Sequence, residues 1–178
     1  RNQTLGGLTS TGLGGNVVGA HATNDSVLTV NIASGTNTYG GVLGGGGTNE
    51  DKLALTKSGY GTLELTNTNS YAGATTVSAG TLIVNGNIST STTTVNGTGI
   101  LAGSGIMGDV TIAAGGTHNP GNSPGIMNTG DYTMAGTLNI EAIGNTPGIG
   151  GYDQVNVTGT VTLSGTLATA FTAGTYAN

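Results

Sequence analysis

The sequence predicts an all-β fold, a right-handed parallel β-helix (β-solenoid) wound in coils of about 19–20 residues. Two patterns support this prediction: a glycine-led motif returns at a nearly constant step, and aliphatic residues alternate with polar ones in short runs. Composition is the third observation, because 36 glycines stand beside only three prolines, with 6% charged and 4% aromatic residues. A core of stacked aliphatic side chains suits this composition better than one built around large rings.

A Gly-Thr-Leu motif, or a close relative of it, opens each predicted coil. Its starting residues are Gly41, Gly61, Gly80, Gly99, Gly116, Gly136 and Gly165. The steps between them are 20, 19, 19, 17, 20 and 29 residues. Such steps are too short for helical-pair repeats and suit one coil of a solenoid. The long last step contains the Gly- and Pro-rich segment 144–151, which predicts a loop inserted into one coil.

Short runs inside the coils show the period of two that β-strands have. The aliphatic sets that share a face are Leu28, Val30 and Ile32, Leu63 and Leu65, Leu82 and Val84, Leu138 and Ile140, Val155 and Val157, and Val161 and Leu163. In about seven or eight stacked coils, equivalent strands would pair so that like residues form columns inside the tube. The crossover rule for parallel strands predicts right-handed winding.

Charge and composition exclude several classes of partner. Formal net charge is −5, and Arg1, Lys52 and Lys57 are the only cations. Three scattered cations cannot neutralise the phosphates of a nucleic acid or hold an anionic membrane surface. No apolar run approaches the roughly 18 residues that span a bilayer, and without cysteine there are no disulfides or thiolate sites. Because the chain starts at Arg1 without a signal-like segment, we expect either a mature product or an excised piece of a longer protein.

Residues 57–65 read K-S-G-Y-G-T-L-E-L, followed by N-S-Y-A-G at 69–73 and G-T-L-I-V-N-G at 80–86. This succession resembles the autotransporter-associated β-strand repeat, also called the passenger-associated transport repeat. A second N-[ST]-Y-x-G copy stands at 37–41. Residues 118–125 are similar to the P-G-N-S-P-G turn of such passengers, and 151–159 to the Y-D segment that follows it. His118 stands where that family usually has an aliphatic residue.

The resemblance implies a β-helical passenger that is displayed on the cell surface or released from it, and it implies no catalytic activity. We interpret residues 1–178 as a single β-helix domain in three parts: less regular coils 1–40, repeat coils 41–115 and autochaperone-like C-terminal coils 116–178. The last part is expected to act as a stable folding nucleus. Association with the outer membrane would come from parts of the protein outside this chain.

Two glycine-rich segments could suggest ligand sites. Residues 103–108 fit G-x-G-x-x-G, but a dinucleotide site needs a helix after the glycines, and no helical pattern follows. We therefore predict a turn between coils. Residues 44–51 vaguely resemble the Ca²⁺ nonapeptide of β-rolls, which works in tandem and occurs here once. A mobile loop is the favoured interpretation, with weak Ca²⁺ binding at Glu50 and Asp51 as an alternative.

The remaining candidates for chemistry are few. Glycosidase-like or lyase-like β-helices need clustered carboxylates, and apart from the neighbours Glu50 and Asp51 we expect none at matching places in adjacent coils. His118 is expected to face inward beside a Pro-Gly turn, and His21 to be exposed. Four tyrosines are expected at packed corners, with a sugar-stacking strip as the alternative: Tyr39, Tyr60, Tyr71 and Tyr132.

These observations predict no catalytic, cofactor-binding or metal-binding residue and a protein that is not an enzyme. The first hypothesis is an extracellular stalk, spacer or adhesive surface, whose host ligand, protein or glycan, the sequence does not identify. The second is a filament subunit that associates end to end through open β-helix edges, since no cap is evident. The third is a β-helix enzyme that acts on polysaccharides.

Overall fold

The chain folds into strands that wind around a shared interior. The computed structural model describes residues 2–10 and 14–171. All the regular secondary structure in these ranges is β-strand. The strands are β1 (Gln3–Leu5), β2 (Asn16–Val17), β3 (Ser26–Asn31), β4 (Thr36–Tyr39), β5 (Val42–Leu43), β6 (Leu53–Ser58), β7 (Thr62–Leu65), β8 (Thr75–Val84), β9 (Asn87–Ile88), β10 (Thr93–Gly103), β11 (Ile106–Met107), β12 (Val110–Ile112), β13 (Thr117–Pro120), β14 (Ile126–Thr129), β15 (Tyr132–Met134), β16 (Thr137–Ala142), β17 (Gln154–Val157), β18 (Val161–Leu163) and β19 (Thr166–Phe171).

The strands pair in parallel, each with its equivalent one coil along the chain. One sheet contains 13 strands, and its main path runs β1-β3-β6-β8-β10-β12-β15-β18. A second sheet has the order β17-β14-β11-β9, and a third consists of β2 and β5. Eight successive strands on the main path agree with the seven or eight predicted coils. The parallel β-helix is therefore confirmed, while its right-handed winding stays a prediction.

Coil length varies with the loops that the coils carry. Leu63 pairs with Leu82, and Leu82 with Leu101, nineteen residues apart each time. Leu28 pairs with Leu55 after twenty-seven residues, because that coil contains the loop 44–51. Leu138 pairs with Leu167 after twenty-nine residues, which confirms the predicted insertion at 144–151. The predicted length of about 19 residues thus holds for the middle coils.

The motif glycines recur because each lies against the backbone of the preceding coil. A Cβ atom added to Gly80 would lie 2.4 Å from the carbonyl oxygens of both Gly59 and Gly61. At Gly136 it would lie 2.2 Å from the carbonyl oxygen of Gly116. Side chains at these positions would force the coils apart, so the glycine period records the stacking of the coils. Gly80 also has φ +64°, which favours glycine.

The interior consists of columns of side chains in register, as predicted. One column contains Leu63, Leu82 and Leu101, all fully buried, and continues through His118 to Leu138. A second contains Val30, Val77, Val95 and Ile112, also fully buried, with Lys57 between Val30 and Val77. Full burial of such an aliphatic side chain contributes roughly 1.5–3 kcal/mol relative to exposure. Contacts with neighbouring coils therefore stabilise each coil.

The predicted motif phase is wrong in the N-terminal coils. Residues 41–43 pair with β2 in the small sheet and not with residues 61–63. The register partner of Thr62 is Thr36, and that of Leu63 is Asn37, twenty-six residues earlier. The second N-[ST]-Y-x-G copy is also not equivalent to the first, because it lies largely within β4, whereas residues 69–73 follow β7.

The last described coil stays in register with the coil before it, but its inward side chains are exposed. Val161, Leu163 and Leu167 continue the interior columns, yet they are 50%, 60% and 60% exposed. Val155 and Val157 are half-buried and pack against the core. Val161 and Leu163 therefore share the inward face, as predicted, and they are exposed because no further described coil covers them.

Candidate functional site

Lys57, the lysine of the repeat motif, is fully buried inside the solenoid. Its Nζ donates hydrogen bonds to the carbonyl oxygens of Ser58 and Gly59, both at 2.8 Å, and of Ala79 at 3.2 Å. The three ammonium donors thus meet three carbonyls at one corner of two adjacent coils. Burial lowers the pKa of Lys57. This lysine joins coils and is not presented to solvent.

The Asn69 side chain of the second motif segment connects three coils. Its Oδ1 accepts a hydrogen bond from the Leu43 backbone N at 2.9 Å, and its Nδ2 donates to the carbonyls of Asn67 and Asn87 at 2.8 and 3.3 Å. Asn69 is itself buried, at 3% exposure. A buried amide with all these partners satisfied fixes the register between coils.

Tyr71 places a hydroxyl group in the interior, where neighbouring hydroxyls satisfy it. Tyr71 Oη lies 2.6 Å from Thr75 Oγ1, which lies 2.8 Å from Ser91 Oγ. The chain ends on the carbonyl of Gly73, to which Ser91 donates at 2.8 Å. Burial raises the pKa of Tyr71 to about 12. One coil further, Thr93 Oγ1 is buried in the same column with no hydrogen-bond partner.

His118 faces inward, as predicted, and is fully buried. Its Nδ1 lies 2.8 Å from Tyr132 Oη, and its Nε2 lies 3.2 Å from Met127 Sδ. Burial lowers the pKa of His118 to about 3, so the ring is neutral at physiological pH. The imidazole stands between Leu101 and Leu138 in an otherwise aliphatic column, and Tyr132 supplies the polar partner.

Asp153, from the Y-D segment, holds the turn at 120–125 in place through backbone hydrogen bonds. Its Oδ1 accepts a hydrogen bond from the Gly125 N at 2.7 Å, and its Oδ2 accepts one from the Glu141 N at 2.8 Å. Burial raises the pKa of Asp153, and these two donors oppose that rise. Both carboxylate oxygens are thus committed to backbone groups. The two C-terminal motifs belong to one structural unit.

The expectation about carboxylates is wrong at one place. Asp109 and Asp131 occupy matching positions in adjacent coils, since each precedes a strand of the paired β12 and β15. Asp109 Oδ1 accepts from the Asp131 N at 2.8 Å, and Asp131 Oδ1 accepts from the Thr160 N at 2.7 Å. Each carboxylate caps the backbone of the next coil. Their place in the sequence, one residue before a buried position, could have revealed this repeat.

The other candidates mostly fall where they were expected. His21 is exposed, and residues 103–108 contain the bend at 104–105 between β10 and β11, followed by β11 itself. In the loop 44–51 the Glu50 carboxylate accepts a hydrogen bond from the Gly47 N at 2.8 Å. A sugar-stacking strip of tyrosines is wrong, because three of the four are buried: Tyr39, Tyr71 and Tyr132. The packing expected for Tyr60 is also wrong, because that side chain is 84% exposed.

A column of eight threonines runs along the outside, and the sequence analysis missed it. Its members pair in register from one end to the other: Thr4, Thr29, Thr56, Thr76, Thr94, Thr111, Thr133 and Thr162. Threonine suits a half-buried strand face because its branched side chain packs on the pleat. Unequal coil lengths hid the column, since the threonines are between seventeen and twenty-nine residues apart.

An open groove of about 520 Å³ lies on the outer face beside the turn. Ile83, Ala102, Asn119 and Asn139 are among its lining residues, along with Glu141. The first three of these residues follow Glu64 in one outer column of paired strands. The Asn139 Nδ2 donates to the Asn119 Oδ1 at 2.8 Å, and Ser123 Oγ donates to Glu141 Oε2.

A chain of side-chain hydrogen bonds leads to this groove across several coils. Thr38 Oγ1 donates to Glu64 Oε2 at 2.8 Å, and Asn85 Nδ2 donates to Glu64 Oε1 at 2.9 Å. Asn122 Nδ2, at the groove, then donates to Asn85 Oδ1 at 3.0 Å. The polar groups of the groove wall are therefore oriented before any ligand arrives.

Chemically, the motif residues stabilise coils, and the groove presents amides and hydroxyls. Within the described ranges no three His, Asp or Glu side chains come close enough together to hold a metal ion. In the same ranges no helix has the length and apolar character needed to cross a bilayer. Fold and site together define a parallel β-solenoid whose signature residues lie at the contacts between coils.

Residues 55–84 match the Passenger-associated-transport-repeat family. The chain thus contains a segment that matches this repeat, as its motifs predict. The matched segment contains Lys57, Asn69 and Tyr71, the buried polar residues described above. The structure thus explains these residues of the repeat by the buried hydrogen bonds that they form inside the solenoid.

Two relatives extend the similarity over more of the chain. The chain is 39% identical over 176 residues to a protein named Adhesin BmaC autotransporter from Brucella suis biovar 1 (strain 1330), a match that covers 87% of the chain and 5% of that protein. It is 33% identical over 94 residues to an Extracellular serine protease from Serratia marcescens, covering 51% of the chain and 9% of that protein. The chain thus spans less than a tenth of either relative. No solved structure matches it significantly.

Proposed function

We propose that the chain is a non-catalytic passenger segment of an autotransporter-type protein, displayed at the cell surface as a stalk or spacer. The observation that carries the proposal is the use of the repeat signature: Lys57 and Asn69 form hydrogen bonds with neighbouring coils, and Tyr71 begins a buried chain of hydroxyl groups that reaches Ser91 in the next coil. A segment whose signature residues build a rod suits a spacing role. The adhesin relative supports display outside the cell.

Display is tested with an epitope inserted at Ile149, which is 92% exposed in the loop 144–151. The parent protein carrying this tag is produced in its native bacterium, and intact cells are labelled with an antibody. We expect labelling without permeabilisation, and loss of the signal after protease treatment of whole cells. Labelling that requires permeabilised cells would contradict surface display. An epitope at buried Val77 serves as the control, because it should disrupt the fold.

The serine protease relative does not extend its activity to this chain, which spans 9% of that protein. Polysaccharide cleavage, the enzymatic alternative, is tested by incubating the chain with acidic polysaccharides and following unsaturated products and new reducing ends. We expect neither to appear. Product formation that disappears in a Glu141→Gln variant would replace the proposed role with an enzymatic one.

A second candidate role, end-to-end self-association, is favoured by the exposed apolar face of the last coil. Val161, Leu163, Leu167 and Phe171 are between 50% and 72% exposed. Contact with an apolar coil of a second copy would bury these side chains and give β18 and β19 a partner on the side where they have no described neighbour. Sedimentation over a range of concentrations should show association that Leu167→Asp abolishes. A monomer at every concentration would exclude this role.

A further inference from the structure

We propose that the groove beside the turn at 120–125 binds a short neutral oligosaccharide. The groove, at about 520 Å³, lies within the range of roughly 300–1,000 Å³ that small-ligand sites occupy. It combines an apolar patch, Ile83 and Ala102, with polar side chains at its sides. A sugar ring presents the same combination, with C–H groups on its faces and hydroxyls around its edge.

The polar side chains of the groove are held in position by one another. Because Asn139 Nδ2 donates to Asn119 Oδ1, the Asn119 Nδ2 donor and the Asn139 Oδ1 acceptor are oriented for a further partner. Asn122 is fixed by Asn85, and Glu141 by Ser123. Oriented donors and acceptors lose little conformational entropy on binding hydroxyl groups.

The backbone beneath the groove favours a sugar over a peptide. Ala102 lies in β10, which pairs with β8 on one side and β13 on the other, and Asn119 lies in β13, which pairs with β10 and β16. An extended peptide binds mainly by adding main-chain hydrogen bonds to a free sheet edge. These two strands already have neighbours on both sides, whereas β19, which contributes residues 168–170 to the lining, pairs only with β16 among the described strands. Over β10 and β13 the side chains must therefore supply recognition.

Charge selects among sugars. The lining contains no lysine or arginine, and its charged side chains are the carboxylates of Glu141 and Asp153. The chain as a whole carries a net charge of −5. Sialylated, sulfated and uronic acid sugars would be repelled, whereas neutral hexoses and N-acetylhexosamines would not.

This inference adds a ligand to the proposed surface-displayed rod. It rests on the proposed function in one respect only, since surface display would give the groove access to sugars outside the cell. Binding to purified protein tests the groove by itself, while antibody labelling of intact cells tests display. The probe is an immobilised panel of neutral, sialylated and sulfated oligosaccharides. Panel members that bind are then titrated in solution against the isotope-labelled chain by NMR.

Two groove variants and one matched control test the location. Asn139→Ala removes a groove amide, and Ala102→Phe fills the groove. Asn156→Ala removes an equivalent amide from another sheet, where the Asn156 Nδ2 donates to the Asn128 Oδ1 at 3.0 Å. We expect saturable binding of neutral panel members, weakened about tenfold or more by either groove variant and unchanged in Asn156→Ala. Thermal unfolding of each variant verifies its fold.

Several outcomes would overturn the assignment. These are binding only to charged sugars, equal loss in Asn156→Ala, unchanged affinity in folded Asn139→Ala and Ala102→Phe, or no binding by any panel member. Capture of a peptide library by the groove, abolished by Ala102→Phe, would replace the sugar with a peptide ligand. Surface labelling of cells could succeed or fail independently of all these results.

Discussion

The middle coils and the last coil contain the same residue types at the same register positions but differ in burial. Leu63, Leu82 and Leu101 are fully buried, whereas Leu167, further along the same column, is 60% exposed. Ile112 is fully buried, while Leu163, two coils further in its column, is also 60% exposed. A position in the repeat therefore does not determine how much a side chain contributes to stability.

The difference shows that stability in this fold comes from having a coil on each side. A leucine between two coils gains close to the full burial energy, and one beneath a single coil gains only part of it. The buried polar residues described above, Lys57, Asn69 and His118, also lie between coils. Substitutions should therefore have effects that depend on place more than on residue type.

The largest contrast is expected between Leu82→Asp and Leu167→Asp. The first change buries a carboxylate in a packed column and should cost about 5 kcal/mol or more, which is comparable to the whole stability of a domain. The second places a carboxylate at an exposed position and should cost under about 1 kcal/mol. Urea unfolding followed by circular dichroism measures both.

If Leu82→Asp does not fold, Leu82→Ala and Leu167→Ala provide a graded comparison. We expect a loss of about 2–5 kcal/mol at position 82 and well under half of that at 167. Equal losses at the two positions would contradict the dependence on neighbouring coils.

Lys57→Met should be the next largest change. The methionine keeps the apolar stem but removes the ammonium donor from the carbonyls of Ser58, Gly59 and Ala79, at an expected cost of about 2–3 kcal/mol. Lys52→Met, at a half-buried loop position, is the matched control and should change the free energy of unfolding by less than about 0.5 kcal/mol. A Lys57→Met variant as stable as the control would show that the three hydrogen bonds contribute nothing.

Acid should weaken the middle coils through His118. The pKa of this ring is lowered to about 3 in the fold, against about 6.5 in the unfolded chain, so the unfolded chain binds the proton first as pH falls. Stability from this group is fully present above pH 6.5 and is lost at about 1.4 kcal/mol per pH unit toward pH 3. Between pH 7 and pH 5 the loss should be about 2 kcal/mol.

The double variant His118→Leu with Tyr132→Phe isolates this contribution from the carboxylates, which also titrate. Unfolding free energies at the two pH values should differ by about 2 kcal/mol less in the double variant than in the parent chain. The same pH dependence in both proteins would exclude His118 as the source.

The smallest expected effect concerns two threonines in one column. Thr93→Val removes a buried hydroxyl that has no partner and should stabilise the chain by about 1 kcal/mol. Thr75→Val, one coil earlier, breaks the hydrogen bonds to Tyr71 and Ser91 and should destabilise it by about 1–2 kcal/mol. The midpoint of thermal unfolding should rise in Thr93→Val and fall in Thr75→Val. Shifts of the same sign would contradict the hydrogen-bond partners assigned to the two hydroxyls.

The sequence was sufficient for the middle coils because their length is nearly constant and their inward residues are aliphatic. It was insufficient at the N-terminal coils, where the inward residue that precedes Leu63 is Asn37. That amide accepts a hydrogen bond from the Leu8 backbone N at 3.0 Å, a contact twenty-nine residues away. A period based on aliphatic residues therefore skipped residues 35–37 and placed the coil at 41–43.

The site was predictable only in part for a related reason. His118 could be placed inside because it follows a motif glycine and threonine in phase. Burial of Lys57 could not be predicted, since an isolated lysine is normally a surface residue. The carbonyls that satisfy its ammonium group come from two coils and meet only after stacking. The groove likewise joins strands that are far apart in sequence.

Registered columns have a consequence for how such genes change. Since strand pairing joins each coil only to the coils before and after it, unequal recombination that duplicates or deletes one nineteen-residue unit, such as residues 63–81, would leave every remaining strand with a paired neighbour. The length of the rod can then change in steps of one coil while the rest of the molecule keeps its shape. The length of the rod thereby becomes a heritable trait that selection can change without altering the structure of the individual coils.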